Sequence, residues 1–149
     1  MLLSGTAQSV STPIRLDVVT GSDDLRDGNK AFVSLNLTDG TSTREQVFAT
    51  NLGQNSRFSR VVTFETPAGI PLSRIRSVTI RHDGSPRSGH PFDSYDNWDL
   101  QRLSVTLLDR SGNTIGNIYN SINDTNPERR IFLFRFTGDQ RQLTVLKQR

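Results

Sequence analysis

Apolar residues recur at every second position along most of this chain, and no window repeats them convincingly at helical spacing. That period puts alternate side chains on opposite faces of a strand, so each run offers one dry face and one wet face. "PIRLDVV" sets Ile14, Leu16 and Val18 on one face, and "AFVSLNLTDG" does the same with Val33, Leu35 and Leu37 before an Asp39-Gly40 turn. "RFSRVVTF" aligns Phe58, Val62 and Phe64, and "RSVTIRHDG" aligns Val78 and Ile80. "LSVTLLDRSGN" contributes Leu103, Val105 and Leu107, followed by "TIGNIY". "RIFLFRF" reads as a strand buried on nearly both faces, and "QLTVL" as the last strand. Clusters of Gly, Pro, Asn, Asp and Ser at 21–30, 38–43, 50–56, 66–73, 83–97, 110–113 and 120–128 read as the connections. Only "PLSRIRS" reads as a helical turn, placed just before its strand. About eight short strands without helices predict an all-β, antiparallel eight-stranded β-sandwich. It forms a single domain over 1–149, with 1–12 as a flexible N-terminal arm.

One stretch makes a sharper demand. In "WDLQRLSVTL" the apolar positions are Trp98, Leu100, Leu103, Val105 and Leu107, so their parity flips between Leu100 and Leu103. A strand keeps both halves inward only by inserting a bulge or bend near Gln101-Arg102.

Composition narrows the function classes. The 149 residues contain no cysteine, which removes disulfides, thiolate metal sites and cysteine nucleophiles together. Net charge is +3, with arginine far outnumbering lysine. A surplus that mild predicts no nucleic-acid partner. The chain has no apolar run long enough to cross a bilayer, which takes about 18 residues. Its start, Met1-Leu2-Leu3-Ser4, lacks the apolar stretch of a secretory signal, so the compartment stays open, with a secreted or extracellular setting suspected. Catalytic signatures are missing as well: no G-x-S-x-G elbow, no phosphate-cradling glycine loop, no dinucleotide fingerprint. The expectation is a protein that is not itself an enzyme, although it could serve as the accessory domain of an enzyme or toxin.

The spacing W-x-L-x-x-L-x-V, preceded by "VTIRHDG", resembles the C-terminal half of PLAT/LH2 (lipoxygenase homology) domains. The segment "IRLDVVTGSDDLRDGNKAFVSLNLTDG" is similar to the N-terminal half of the same family, with its strand, Thr-Gly, Gly-rich loop, second strand and Gly turn. The likeness runs from about Ile14 to at least Leu107. It implies a sandwich of two four-stranded sheets, a non-catalytic module that helps a partner reach membrane lipid or another protein, sometimes with calcium in the loops at one end. In such a sandwich the loops 21–30 and 83–97 share an end. That would gather Asp23, Asp24, Asp27, Asn29, Asp83, Asp93 and Asp96 as candidate calcium ligands, since calcium takes six to eight oxygens. The sequence departs from the family at Gly28-Asn29-Lys30-Ala31, where Lys30 stands in place of the usual aspartate and opposes a divalent ion.

Phe92, Tyr95 and Trp98 are the candidate ligand contacts, as interfacial anchors on a lipid surface or partner protein. Trp98, in phase with Leu100, also reads as a core residue, and Asp83 and Asp96 also read as turn caps. His82 keeps the parity of Val78 and Ile80, which suits a core-edge imidazole, and His90 reads as solvated. The paired arginines Arg74/Arg76 and Arg129/Arg130 suit a wet face. The alternative function is a carbohydrate-binding sandwich, with Tyr95, Trp98, Tyr119 or Phe92 stacked on sugar rings. A buried Trp98 would favour the membrane or protein reading over the glycan one.

Overall fold

The computed structural model describes residues 8–84 and 95–149. The described strands are β1 (Val10–Thr20), β2 (Leu25–Leu37), β3 (Gln46–Leu52), β4 (Arg57–Thr66), β5 (Ile75–His82), β6 (Trp98–Leu108), β7 (Thr114–Asn120), β8 (Phe134–Phe136) and β9 (Gln142–Leu146). They form two antiparallel sheets. One runs β4-β1-β6-β7, with β8 also pairing with β6, and the other runs β3-β2-β5-β9. The all-β sandwich expected from the period-two pattern is therefore the architecture, with one strand added to the expected count.

The inward rows come from the residues that the alternation marks. Ile14, Leu16, Val33, Leu35, Val78, Ile80, Leu103, Val105 and Leu107 are all buried between the sheets. Leu72–Arg74 forms the single helical turn ahead of β5, where "PLSRIRS" places it. The bulge also falls where the parity flip requires it. Along β1, Val19 pairs with Arg102 and Thr20 with Leu100, so β6 carries Gln101 as an extra residue. Without it, either Trp98 and Leu100 or Leu103, Val105 and Leu107 would face water.

Four expectations need correction. The segment "QVFATNL" is strand β3, although its inward pair Phe48 and Ala49 is adjacent and breaks strict alternation; a register shift between Ala31 and Phe32 against it accounts for the irregularity. The loop expected at 21–30 is shorter, because β2 begins at Leu25, and Gly28 at φ 89° lets the chain bulge where its pairing with β3 skips from Leu25 to Lys30. Within the segment expected as a flexible N-terminal arm, Val10, Ser11 and Thr12 instead pair with Thr66, Glu65 and Phe64. Finally, "RIFLFRF" is strand only over Phe134–Phe136. Asn126 caps Glu128 N–H, Pro127 starts the turn, and the short helix α1 (Pro127–Ile131) takes the residues before it. Ile131 is accordingly 73% exposed and Phe132 38% exposed, not core.

Candidate functional site

The two segments flagged by sequence meet at one rim of the sandwich. Asn29 is buried and donates from Nδ2 to Asp96 Oδ2 at 2.8 Å. Asp83 Oδ1 accepts from Lys30 N–H at 2.9 Å, while Asp83 N–H donates to Lys30 C=O at 3.1 Å, so the aspartate extends the β2–β5 ladder with its own side chain. Asp96 also accepts from Arg26 N–H, and the Arg26 guanidinium stands 3.8 Å from its other oxygen. Asp24 is half-buried. Asp27 contributes to the strand, and Phe92, Asp93 and His90 lie outside the described residues.

A residue that sequence reasoning passed over organises the inner part of this rim. Trp98, Asp99 and Leu100 are buried in succession, Trp98 and Leu100 inward and Asp99 beneath groups that cover the outward face. Asp99 Oδ2 accepts from Ser22 Oγ at 3.1 Å and from Asp23 N–H at 3.2 Å, and Asp99 Oδ1 accepts from Arg135 at 2.7 Å. Arg135 reaches on to Asp23 Oδ2 at 2.8 Å. Burial pushes the Asp23 carboxyl up; Arg135 pulls it down, and the neighbouring Asp99 and Asp96 push it up again. Arg135 was hidden in the sequence because it lies 112 residues from Asp23. Its only sequence signal was the one charge in an otherwise apolar run.

Removing this hub has a measurable cost. Asp99→Ala is expected to lose about 2 kcal/mol in urea unfolding, because a buried acceptor for three donors disappears. The loss stays below that of a fully buried ion pair because the Arg135 side chain is 45% exposed and can turn to water. Asp24→Ala should remain within about 0.5 kcal/mol of the parent.

Behind the rim lies an aromatic cluster that joins the sheets. Trp98 is fully buried, stacked on Phe136 at 5.2 Å and 13°, and its Nε1–H points to Thr20 Oγ1 at 3.2 Å. His82, from the opposite sheet, sets its ring edge-on to Trp98, Phe136 and Tyr95. The Tyr95 hydroxyl lies 2.9 Å from His82 Nδ1 and 3.0 Å from the His82 carbonyl. The hydroxyl hydrogen can serve only one acceptor. With the proton on Nδ1, imidazole donates to the hydroxyl and the hydroxyl donates to the carbonyl, leaving His82 Nε2 as a bare lone pair. That tautomer suits the site, because Nε2 is buried and has no partner among the described residues. Desolvation pulls the His82 imidazole down to about 4, and burial pushes the Tyr95 phenol up to about 12. Gly84, at φ 56°, is required here, since a Cβ would run into the Tyr95 ring.

Trp98 therefore leaves the set of ligand contacts: it is a core residue. Tyr119 is buried too, with its hydroxyl on Asp124 Oδ2 at 2.5 Å, so two of the four aromatics of the glycan reading are unavailable to a sugar face. Tyr95 stays half-buried, with the Arg141 guanidinium 4.8 Å from its ring centre.

Nor do the described residues fit a calcium ion. Asp96, Asp83 and Asp23 have oxygens already engaged by amide or guanidinium donors, and Asn29 turns its amide nitrogen toward Asp96. Among the described residues no group of three or more His, Cys, Asp and Glu side chains is arranged to hold a metal. Calcium would have to displace Arg26 and Arg135 to find its six to eight oxygens.

No protein-family model matches the chain, and no curated protein matches it. Solved structures do. A crystal structure of a lipoxygenase deletion variant superposes with a TM-score of 0.58 at 11% identity, over 93% of this chain and 16% of the lipoxygenase. The α-toxin of an avian Clostridium perfringens strain superposes with a TM-score of 0.55 at 12% identity, over 98% of this chain and 34% of the toxin. The chain shares their β-sandwich fold. It thus spans only a small part of the lipoxygenase and about a third of the toxin.

Proposed function

We propose that this chain is a non-catalytic targeting module of the PLAT/LH2 kind that contacts a lipid surface, without calcium, through the rim where residues 21–30 meet Asp83 and Asp96. The observation that carries the reading is the cross-tied rim: Asn29 to Asp96 and Lys30 to Asp83 hold the two chain segments as one presented edge, and Arg135 of β8 anchors Asp23 beside them. An edge this thoroughly internally bonded presents a fixed surface and leaves its described carboxylates without a free acid–base pair. Lys30 is exposed there, and the chain's pI is about 9.9, both of which favour anionic lipid. The fold likeness to parts of a larger enzyme and a larger toxin supports an accessory role.

Flotation on phosphatidylcholine vesicles doped with phosphatidylserine tests it. The chain is expected to float equally well with calcium and with chelator, and Lys30→Glu is expected to weaken flotation about tenfold or more, since the charge reverses beside the surface. Loss of flotation in chelator would overturn the calcium-free reading. Flotation indifferent to Lys30→Glu would remove the rim from the contact.

A further inference from the structure

A second surface, adjoining the rim, lies on the outward face of the five-stranded sheet. In that sheet Val19 of β1 pairs on one side with Arg57 of β4 and on the other with Arg102 of β6. The three side chains therefore stand in one row across adjacent strands. Strands are about 4.8 Å apart, so the two arginine Cα atoms are about 10 Å from each other. Two side chains of arginine's length converge readily over a single tetrahedral anion set above Val19.

Both arginines are exposed, and neither has an ion-pair partner among the described residues. They border a groove of about 390 Å³ to which Val19 and Ile122 contribute apolar side chains from the outward face. The acidic residue in the groove, Asp17, is one row further along and is already engaged, accepting from Ser59 Oγ at 2.6 Å and from Arg15 Nε at 3.1 Å.

Next to this row, the sandwich displays apolar side chains that it does not bury. Ile122 is 50% exposed, in the 3-10 turn Ser121–Asn123, and Ile131 and Phe132 belong to α1 and the residue after it. Ile122 lines the groove, its turn packs against α1 and β6, and the Phe132 ring lies beside Gly21, two residues beyond Val19. Their presentation is fixed from within. Asp124 accepts from the Tyr119 hydroxyl and from Asn126 N–H at 2.8 Å, and its carbonyl accepts from Arg130 Nε at 2.7 Å. Three exposed large apolar residues on a segment held this firmly, beside two guanidinium groups without an ion-pair partner among the described residues, match an amphiphile with an anionic head.

We infer that Arg57 and Arg102 form a headgroup site for a phosphate-bearing lipid, with Ile122, Ile131 and Phe132 meeting its acyl region. The apolar trio favours lipid over an acidic peptide, which would leave those side chains in water.

The test is a nuclear magnetic resonance titration with monomeric dihexanoyl phosphatidic acid, read at the Nε–H signals of Arg57 and Arg102 and the Val19 amide. Inorganic phosphate and a short polyglutamate peptide serve as comparison probes. The expected result is a saturable shift confined to the Arg57–Val19–Arg102 row, with apparent affinity falling about fivefold in Arg57→Gln or Arg102→Gln and about thirtyfold in the double variant. Arg44→Gln/Arg76→Gln removes the same charge from other exposed positions and is expected to change affinity little. An equal loss in that control would reduce the effect to general charge and overturn the site. Shifts as strong with inorganic phosphate would overturn the lipid assignment in favour of a free phosphate, and shifts as strong with polyglutamate would overturn it in favour of an acidic peptide. Because the readout is local to the sheet face, it stands or falls independently of vesicle flotation through the rim. All four arginines are exposed, so melting curves should confirm that each variant folds.

Discussion

Replacing Trp98 with alanine is expected to cost about 4 kcal/mol, a large share of the roughly 5–15 kcal/mol that holds a domain of this kind together. The indole is fully buried, and its removal unstacks Phe136, leaves His82 without one of its edge contacts and strips the Thr20 hydroxyl of a donor. A void would remain between the sheets, because β6 is held in its own sheet by pairing with β8 at Trp98–Phe136 and cannot shift to fill it without losing register. At this size the melting temperature should fall by about 10 °C or more. Trp98→Phe keeps an aromatic ring and should cost less than half as much. Trp98 is the only tryptophan, so the wild-type emission should be blue-shifted in the folded state and red-shift in step with unfolding. A solvent-like emission from the native protein would contradict the buried stack.

Acid should weaken the fold well before the carboxylates titrate. The His82 imidazole is held down to about 4 by desolvation, against 6.5 when unfolded. The unfolded chain therefore binds the extra proton first, and stability drops as the pH falls from about 6.5 toward 4. The full effect is about 3 kcal/mol, at about 1.4 kcal/mol for each pH unit of the shift. In the folded state that proton has nowhere to go: Nδ1 is committed to Tyr95, and Nε2–H would be a buried donor with no partner among the described residues. Asp23 works in the opposite sense. Its carboxyl is raised, so its protonation as the pH falls favours the fold. Urea midpoints across this range should slope steeply for the wild type and flatten in His82→Phe. A slope that survives the substitution would assign the acid sensitivity elsewhere.

Much of the fold was legible because a strand with one dry face announces itself residue by residue. The bulge was legible for the same reason, since Leu100 and Leu103 cannot share a face without an inserted residue. Strand β3 was missed because Phe48 and Ala49 are both buried while the apolar Val47 beside them is exposed, so no alternation marks a dry face. The rim was half legible: its two segments were placed together, and Asn29, Asp83 and Asp96 do meet their partners there. What sits opposite each carboxylate was not legible. Arg135 and Arg26 arrive from other strands, and only tertiary pairing determines whether an aspartate faces an arginine or open solvent. The Asp99 hub was not legible either, because its outward-facing side chain is buried only by Ser22, Asp23 and Arg135, which tertiary pairing brings over it.

That inserted residue also governs how the molecule can change over evolutionary time. On one side of Gln101, β6 hands its free edge to β8 through Trp98–Leu100; on the other it hands it to β7 through Ser104–Leu108. Connections elsewhere can grow or shrink by single residues. Between Leu100 and Leu103 the spacing is quantised, and only an even change would leave both neighbours with the side chains they now share.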